Sequence, residues 1–149
     1  MTAASRPETV SPIEAARAPV PPYPGIPAIL DGSEAIAHVE TRIGEVACAY
    51  PITPSTTMAA VFQAAVAEGR PNLWGTPLRI LEPESEHSSA SAAEGVALTG
   101  GRAVNFTAGQ GLILMKEVLY VISGKRLPVV FHVGARALTS QSLNIHAGH

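Results

Sequence analysis

Four short apolar runs constrain the fold of this chain more than any other feature. They are "VACAYPI" from Val46, "LRILEPE" from Leu78, "RAVNFTA" from Arg102 and "LPVVFHVGAR" from Leu127. Each has the length and apolar content of a buried strand, and segments of helical spacing lie between them. "DGSEAIAHVETRIGEV" places Ala35, Ile36, Val39 and Ile43 on a helical stripe, with Asp31 or Ser33 able to cap its start. "PSTTMAAVFQAAVAEG" does the same with Met58, Val61, Phe62 and Val66, and Gly69 is its C-cap candidate. A small-residue helix, "SEHSSASAAEGVAL", stops at Gly100 and Gly101. "QGLILMKEVLYVISG" reads as one helix with almost no polar face, expected to be buried on most sides in a larger assembly. "ALTSQSL" opens a further helix. Strands alternating with helices predict an α/β domain with a mainly parallel sheet, apolar along its strands and covered by helices on both faces.

Composition narrows the function classes. Within 149 residues, 46% are apolar and only 15% charged, enough for one domain with a real core. The formal charge of −2 argues against nucleic acid as a partner, since phosphate neutralisation needs a basic surface. No stretch approaches the roughly 18 apolar residues of a membrane span, and "MTAASRPETVSP" lacks an apolar signal core, so the expected setting is cytoplasmic. The single cysteine, Cys48, is expected to be a buried core thiol; one cysteine builds neither a zinc site nor an iron–sulfur cluster. His38, His87 and His132 are scattered, and His146 and His149 stand apart at the end, so no metal site is expected. Residues 1–30 hold seven of the thirteen prolines and form an extended arm; the α/β domain occupies 31–149.

In an open parallel sheet, ligands bind beyond the carboxyl ends of the strands. Four polar corners fall there: "PITPST" at Thr53, Glu84 to Glu86, Thr107 to Gly111, and Arg136. Thr53 before Pro54 is a generic helix start, with Thr53 as N-cap. The same corner, with Ser55 and Thr56, also suits a carboxylate that Arg136 would clamp. Glu82, Glu84 and Glu86 either complement a helix dipole or present a carboxylate to a cofactor ring. "GQG" lacks the third glycine of a dinucleotide fingerprint, so its glycines are read as permitting a tight turn, with Gln110 offering a polar contact.

"YPITPSTTM", "ESE" opening a small-residue helix, "NFTAGQGLILM", "SGKRLPVVFHVGARAL" and "SLNIHAGH" together resemble the first domain of the 2-oxoacid:ferredoxin oxidoreductases, of the pyruvate:ferredoxin oxidoreductase kind. The blocks run in consistent order from about Asp31 to His149. The resemblance implies a pyrimidine-binding domain of a thiamin diphosphate enzyme, in which Glu86 bonds the aminopyrimidine ring and Gln110 is a further cofactor contact. Thr53 and Arg136 would hold the carboxylate of a 2-oxoacid such as pyruvate. It also implies a partner domain or subunit supplying diphosphate and Mg²⁺ binding, iron–sulfur clusters elsewhere, coenzyme A as acyl acceptor, ferredoxin or flavodoxin as electron acceptor, and a homo- or hetero-oligomer. The chain is then a part of a longer subunit or a half that needs a partner, inactive alone. His87 and Glu94 are polar where the family is usually plain. That departure keeps a non-catalytic scaffold of the same fold as an alternative, beside another thiamin enzyme of the transketolase or decarboxylase kind.

Overall fold

The computed structural model describes residues 25–138; most of the Pro-rich arm, "ALTSQSL" beyond Leu138, and His146 and His149 lie outside them. Nine elements follow in order: α1 Gly32–Ile43, β1 Val46–Ala49, α2 Thr56–Ala67, β2 Arg79–Leu81, α3 Glu86–Leu98, β3 Ala103–Ala108, α4 Gly109–Leu114, α5 Lys116–Gly124 and β4 Val129–Gly134. The four strands are all parallel, in the order β2-β1-β3-β4.

Side chains alternate across the sheet as strand geometry requires. Ala47, Ala49, Val104 and Phe106 face α2, meeting Met58, Phe62 and Ala65. Cys48 and Ala103 face the other way onto Ala93 of α3, and Val129 and Phe131 meet Met115, Val118 and Ile122 beside α5. The strands are not apolar throughout: Asn105 and Thr107 of β3 are buried, and Asn105 Nδ2 donates to Ser89 Oγ at 2.7 Å.

Helix boundaries follow local chemistry. Asp31 caps α1 in a reciprocal box, accepting from Glu34 N at 2.7 Å while Glu34 accepts from Asp31 N at 2.9 Å. Gly69 follows the end of α2 with φ +67°, a conformation open to glycine at little cost.

Two expectations are corrected. The buried side of α1 is Ala37, Glu40 and Thr41, while Val39 and Ile43 are exposed. Glu40 is drawn inward because His132 of β4 meets it at 2.7 Å, and Thr41 satisfies itself on the Ala37 carbonyl at 2.8 Å. The "GLILMKEVLYVIS" helix is two helices that break at Met115 (φ −88°, ψ 7°), which re-aims the chain so that Met115, Val118 and Ile122 enter the core. Within the described residues Ile113, Leu114 and Tyr120 stay exposed, so burial on most sides is not met by this chain itself.

Candidate functional site

Because every strand runs the same way, the corners after β1, β2, β3 and β4 gather at one edge of the sheet. The chain leaves β1 toward β2 on one side, while β3 lies on the other. The β1/β3 gap is therefore the switch point where open α/β sheets form clefts.

Thr53 is not the cap of α2. The Thr53–Pro54 peptide is cis, and the helix begins at Thr56 behind Ser55, whose side chain makes no cap bond. The Ser55 amide and hydroxyl both turn back to the Ile52 carbonyl, at 2.9 and 2.7 Å, so residues 52–55 form a closed turn instead of a helix start. Thr53 is exposed on that turn. The turn rests on β4: a Cβ on Gly134 would lie 2.9 Å from Pro54 Cγ and 3.2 Å from Ser55 N. The bare Gly134 backbone admits that approach, and it seats Pro54 and Ser55, the two residues after Thr53, on the strand that leads into Arg136.

Of the three glutamates after β2, only Glu86 is buried, at 8% exposure, while Glu82 and Glu84 are exposed. Glu86 is the first residue of α3, behind Ser85, which caps the helix by accepting from Ser88 N at 3.2 Å. Hydrogen bonds from its own backbone amide and from the Ser88 hydroxyl hold the Glu84 carboxyl below the usual carboxylate range. Among the described residues the Glu86 carboxylate has no ion-pair partner. Its stem lies against α4. A Cβ on Gly111 would sit 2.7 Å from Glu86 Cγ and 3.4 Å from Glu86 Cβ, and would collide with the Thr107 hydroxyl. The glycines of "GQG" thus serve close approach and not a turn. Neither takes a positive φ, and both belong to α4.

Comparison with known proteins decides the family. Residues 38–149 match the family model described as "Pyruvate flavodoxin/ferredoxin oxidoreductase, thiamine diP-bdg". The chain belongs to this family. It is 45% identical over 122 residues to a pyruvate-flavodoxin oxidoreductase of Trichormus variabilis, covering 82% of this chain and 10% of the relative. It is 46% identical over 120 residues to the pyruvate:ferredoxin oxidoreductase of Moorella thermoacetica, covering 80% of this chain and 10% of that protein. A solved 2-oxoglutarate:ferredoxin oxidoreductase from Magnetococcus marinus, with 2-oxoglutarate, coenzyme A and succinyl-CoA bound, superposes with a TM-score of 0.67 at 25% identity. That match covers 77% of this chain and 19% of the solved one. The chain therefore spans about a tenth of the length of these two sequence relatives. The fold and family expected from the sequence are borne out.

In this thiamine diphosphate-binding family domain, Arg136 sits half-buried just beyond β4 and donates from Nε to Gln110 Oε1 at 2.7 Å. Gln110 Nε2 donates to the Ala137 carbonyl at 2.5 Å. Gln110 is adjacent in sequence to Gly111, on which Glu86 rests, so α4's first turn touches both the Arg136 and the Glu86 corners. His87 Nε2 stands 3.8 Å from Glu117 of α5, and Glu94 meets Lys125, the residue after α5, at 2.5 Å. Of the two, only the Glu94–Lys125 contact is close enough to tie α3 to the end of α5. Cys48 is fully buried, and burial pushes its thiol pKa up to about 12. Sequence reasoning placed Thr107 and Gly111 at a candidate ligand corner without seeing that they border Glu86, and it gave Gly134 no role. The available signal for Gly134 was a residue without bulk at a strand end.

Proposed function

We propose that this domain supplies the aminopyrimidine side of a thiamin diphosphate site in an enzyme that oxidatively decarboxylates a 2-oxoacid, such as pyruvate, to an acyl-CoA. One observation carries the reading: Glu86, a glutamate only 8% exposed and without an ion-pair partner among the described residues, rests its stem on the bare Gly111 backbone beside the buried Thr107 at the carboxyl edge of the sheet. A methyl group at Gly111 would lie 2.7 Å from Glu86 Cγ and displace that stem, so the bare backbone fixes where the side chain sits.

When bound, thiamin diphosphate supplies a nucleophilic carbon and an electron sink for loss of CO2. The chain's own residues bind and orient. Glu86 would hold a proton at a ring nitrogen of the aminopyrimidine, where burial strengthens the bond. Arg136, with Thr53 on the turn packed against Gly134, would grip the oxoacid carboxylate, which a guanidinium matches with paired N–H donors.

Diphosphate and Mg²⁺ binding, and the iron–sulfur clusters that take electrons toward ferredoxin or flavodoxin, are assigned to other domains or subunits. The one cysteine here is sealed in the core. Exposed Ile113, Leu114 and Tyr120 offer those domains an apolar surface. Against the scaffold alternative, Glu94 has a structural use, its contact with Lys125 just after α5.

The test is reduction of a low-potential dye by the complete enzyme, given a 2-oxoacid and coenzyme A. Arg136→Ala should raise KM for the oxoacid or cut turnover by about a hundredfold. Unchanged kinetics would return Arg136 to a surface role.

A further inference from the structure

We propose that Gln110 is a positioning residue that aims Arg136, and not a contact to the cofactor; the proposal rests on the reading of Arg136 as the oxoacid clamp. Both polar ends of the Gln110 amide are committed. Its oxygen accepts from Arg136 Nε at 2.7 Å and its nitrogen donates to the Ala137 carbonyl at 2.5 Å. One N–H and one lone pair of the amide remain, but both bonds to one short segment fix its plane and direction toward residues 136 and 137. What it does is fix that segment.

The choice of Nε matters. A guanidinium has five N–H donors, and Nε–H points sideways from the fork. Holding Nε leaves the two Nη groups for a carboxylate while removing the rotation that an arginine on a loop otherwise keeps. The second bond, to Ala137, pins the backbone that carries the arginine. Close packing reinforces both: a Cβ on Gly109 would lie 2.9 Å from Leu138 Cδ2 and 3.7 Å from the Arg136 carbonyl. Residues 136–138 therefore lie directly on the first turn of α4, which begins at Gly109.

The same turn carries Gly111, the seat of Glu86. Gln110 thus sets the reach of the oxoacid clamp from the element that fixes the cofactor carboxylate. A shift of α4 would move both together.

A double-mutant cycle in the complete enzyme tests this. Gln110→Met keeps the side-chain length and loses both hydrogen bonds; Gln110→Ala removes bulk as well and guards against a packing fault in the first variant. Each should raise KM for the 2-oxoacid about tenfold, the loss expected of a charge-assisted bond. The dissociation constant of thiamin diphosphate, read by protein fluorescence without turnover, should stay within about twofold of the parent. In an Arg136→Ala background the Gln110 changes should add less than about twofold, because the group they aim is gone.

Multiplying effects in the double mutant would overturn the proposal. So would weakened cofactor binding with an unchanged oxoacid KM, which would make Gln110 a cofactor contact. If Arg136→Ala itself leaves KM unaltered, the clamp reading fails and this proposal fails with it. A strong Arg136 effect with an independent Gln110 effect sinks this proposal alone.

Discussion

Alanine at Gly111 and alanine at Gly95 are the same chemical change on two helices, and the structure gives them opposite signs. At Gly95, in α3, an added Cβ meets nothing within 4 Å. The substitution there gains helix propensity and should stabilise the protein by about 0.5–1 kcal/mol. At Gly111 the backbone is helical too, so the same gain applies. The new methyl, however, would sit 2.7 Å from Glu86 Cγ and overlap the Thr107 hydroxyl, both in buried surroundings. Overpacking of this kind costs about 1–3 kcal/mol, so against that gain the net change is a loss of up to about 2.5 kcal/mol. Thermal melting should show Gly95→Ala rising and Gly111→Ala falling, each by a few degrees. Glu86 is the side chain that must yield, so Gly111→Ala should also weaken thiamin diphosphate binding in the complete enzyme, and Gly95→Ala should not. A Gly111→Ala protein that melts higher and binds cofactor normally would refute the seat.

Two more outcomes follow from buried groups. Cys48 should resist thiol reagents at pH 8 in the folded protein and react on unfolding. Its folded pKa lies near 12 against an ordinary 9.0, so the unfolded chain loses the proton first. The stability it contributes is whole below about pH 9 and is lost as pH rises toward about 12, which a series of alkaline melts against Cys48→Ala would detect. Asn72→Ala should cost about 2–3 kcal/mol in chemical denaturation, because Asn72 Nδ2 bonds the Gly44 carbonyl at 3.0 Å and its Oδ1 takes the Trp74 and Thr76 amides at 3.0 and 2.9 Å. A loss below about 0.5 kcal/mol would mean that water replaces those bonds freely.

The strands and their polar carboxyl ends were legible because apolar runs of that length have few alternatives to a buried parallel sheet. The faces of α1 were not, since apolar spacing placed Val39 and Ile43 inward while a long-range partner, His132, drew Glu40 in instead. No local pattern reports a partner 92 residues away. The break at Met115 was hidden for a related reason. It carries no glycine or proline and exists to bring Met115 and Ile122 into the core. At the candidate site, polar residues at strand ends were legible by type: three glutamates after β2 and Arg136 after β4. Glu86 stood out from its two neighbours only through the family resemblance; the structure adds that it alone of the three is buried, and that Gly134 lets Pro54 and Ser55 pack on the strand that leads into Arg136. Thr53 was misread as a cap because Thr-Pro starts many helices, whereas here Ser55 folds both its donors back on Ile52.

The central claim is that Glu86 meets the cofactor ring, and Glu86→Gln tests it most directly. The amide keeps the shape of the side chain on Gly111, so the melting temperature should hold. Turnover of 2-oxoacid by the complete enzyme should fall by about 10²–10⁴, with KM for the oxoacid nearly unchanged. A folded Glu86→Gln enzyme that turns over at the parent rate would contradict the account.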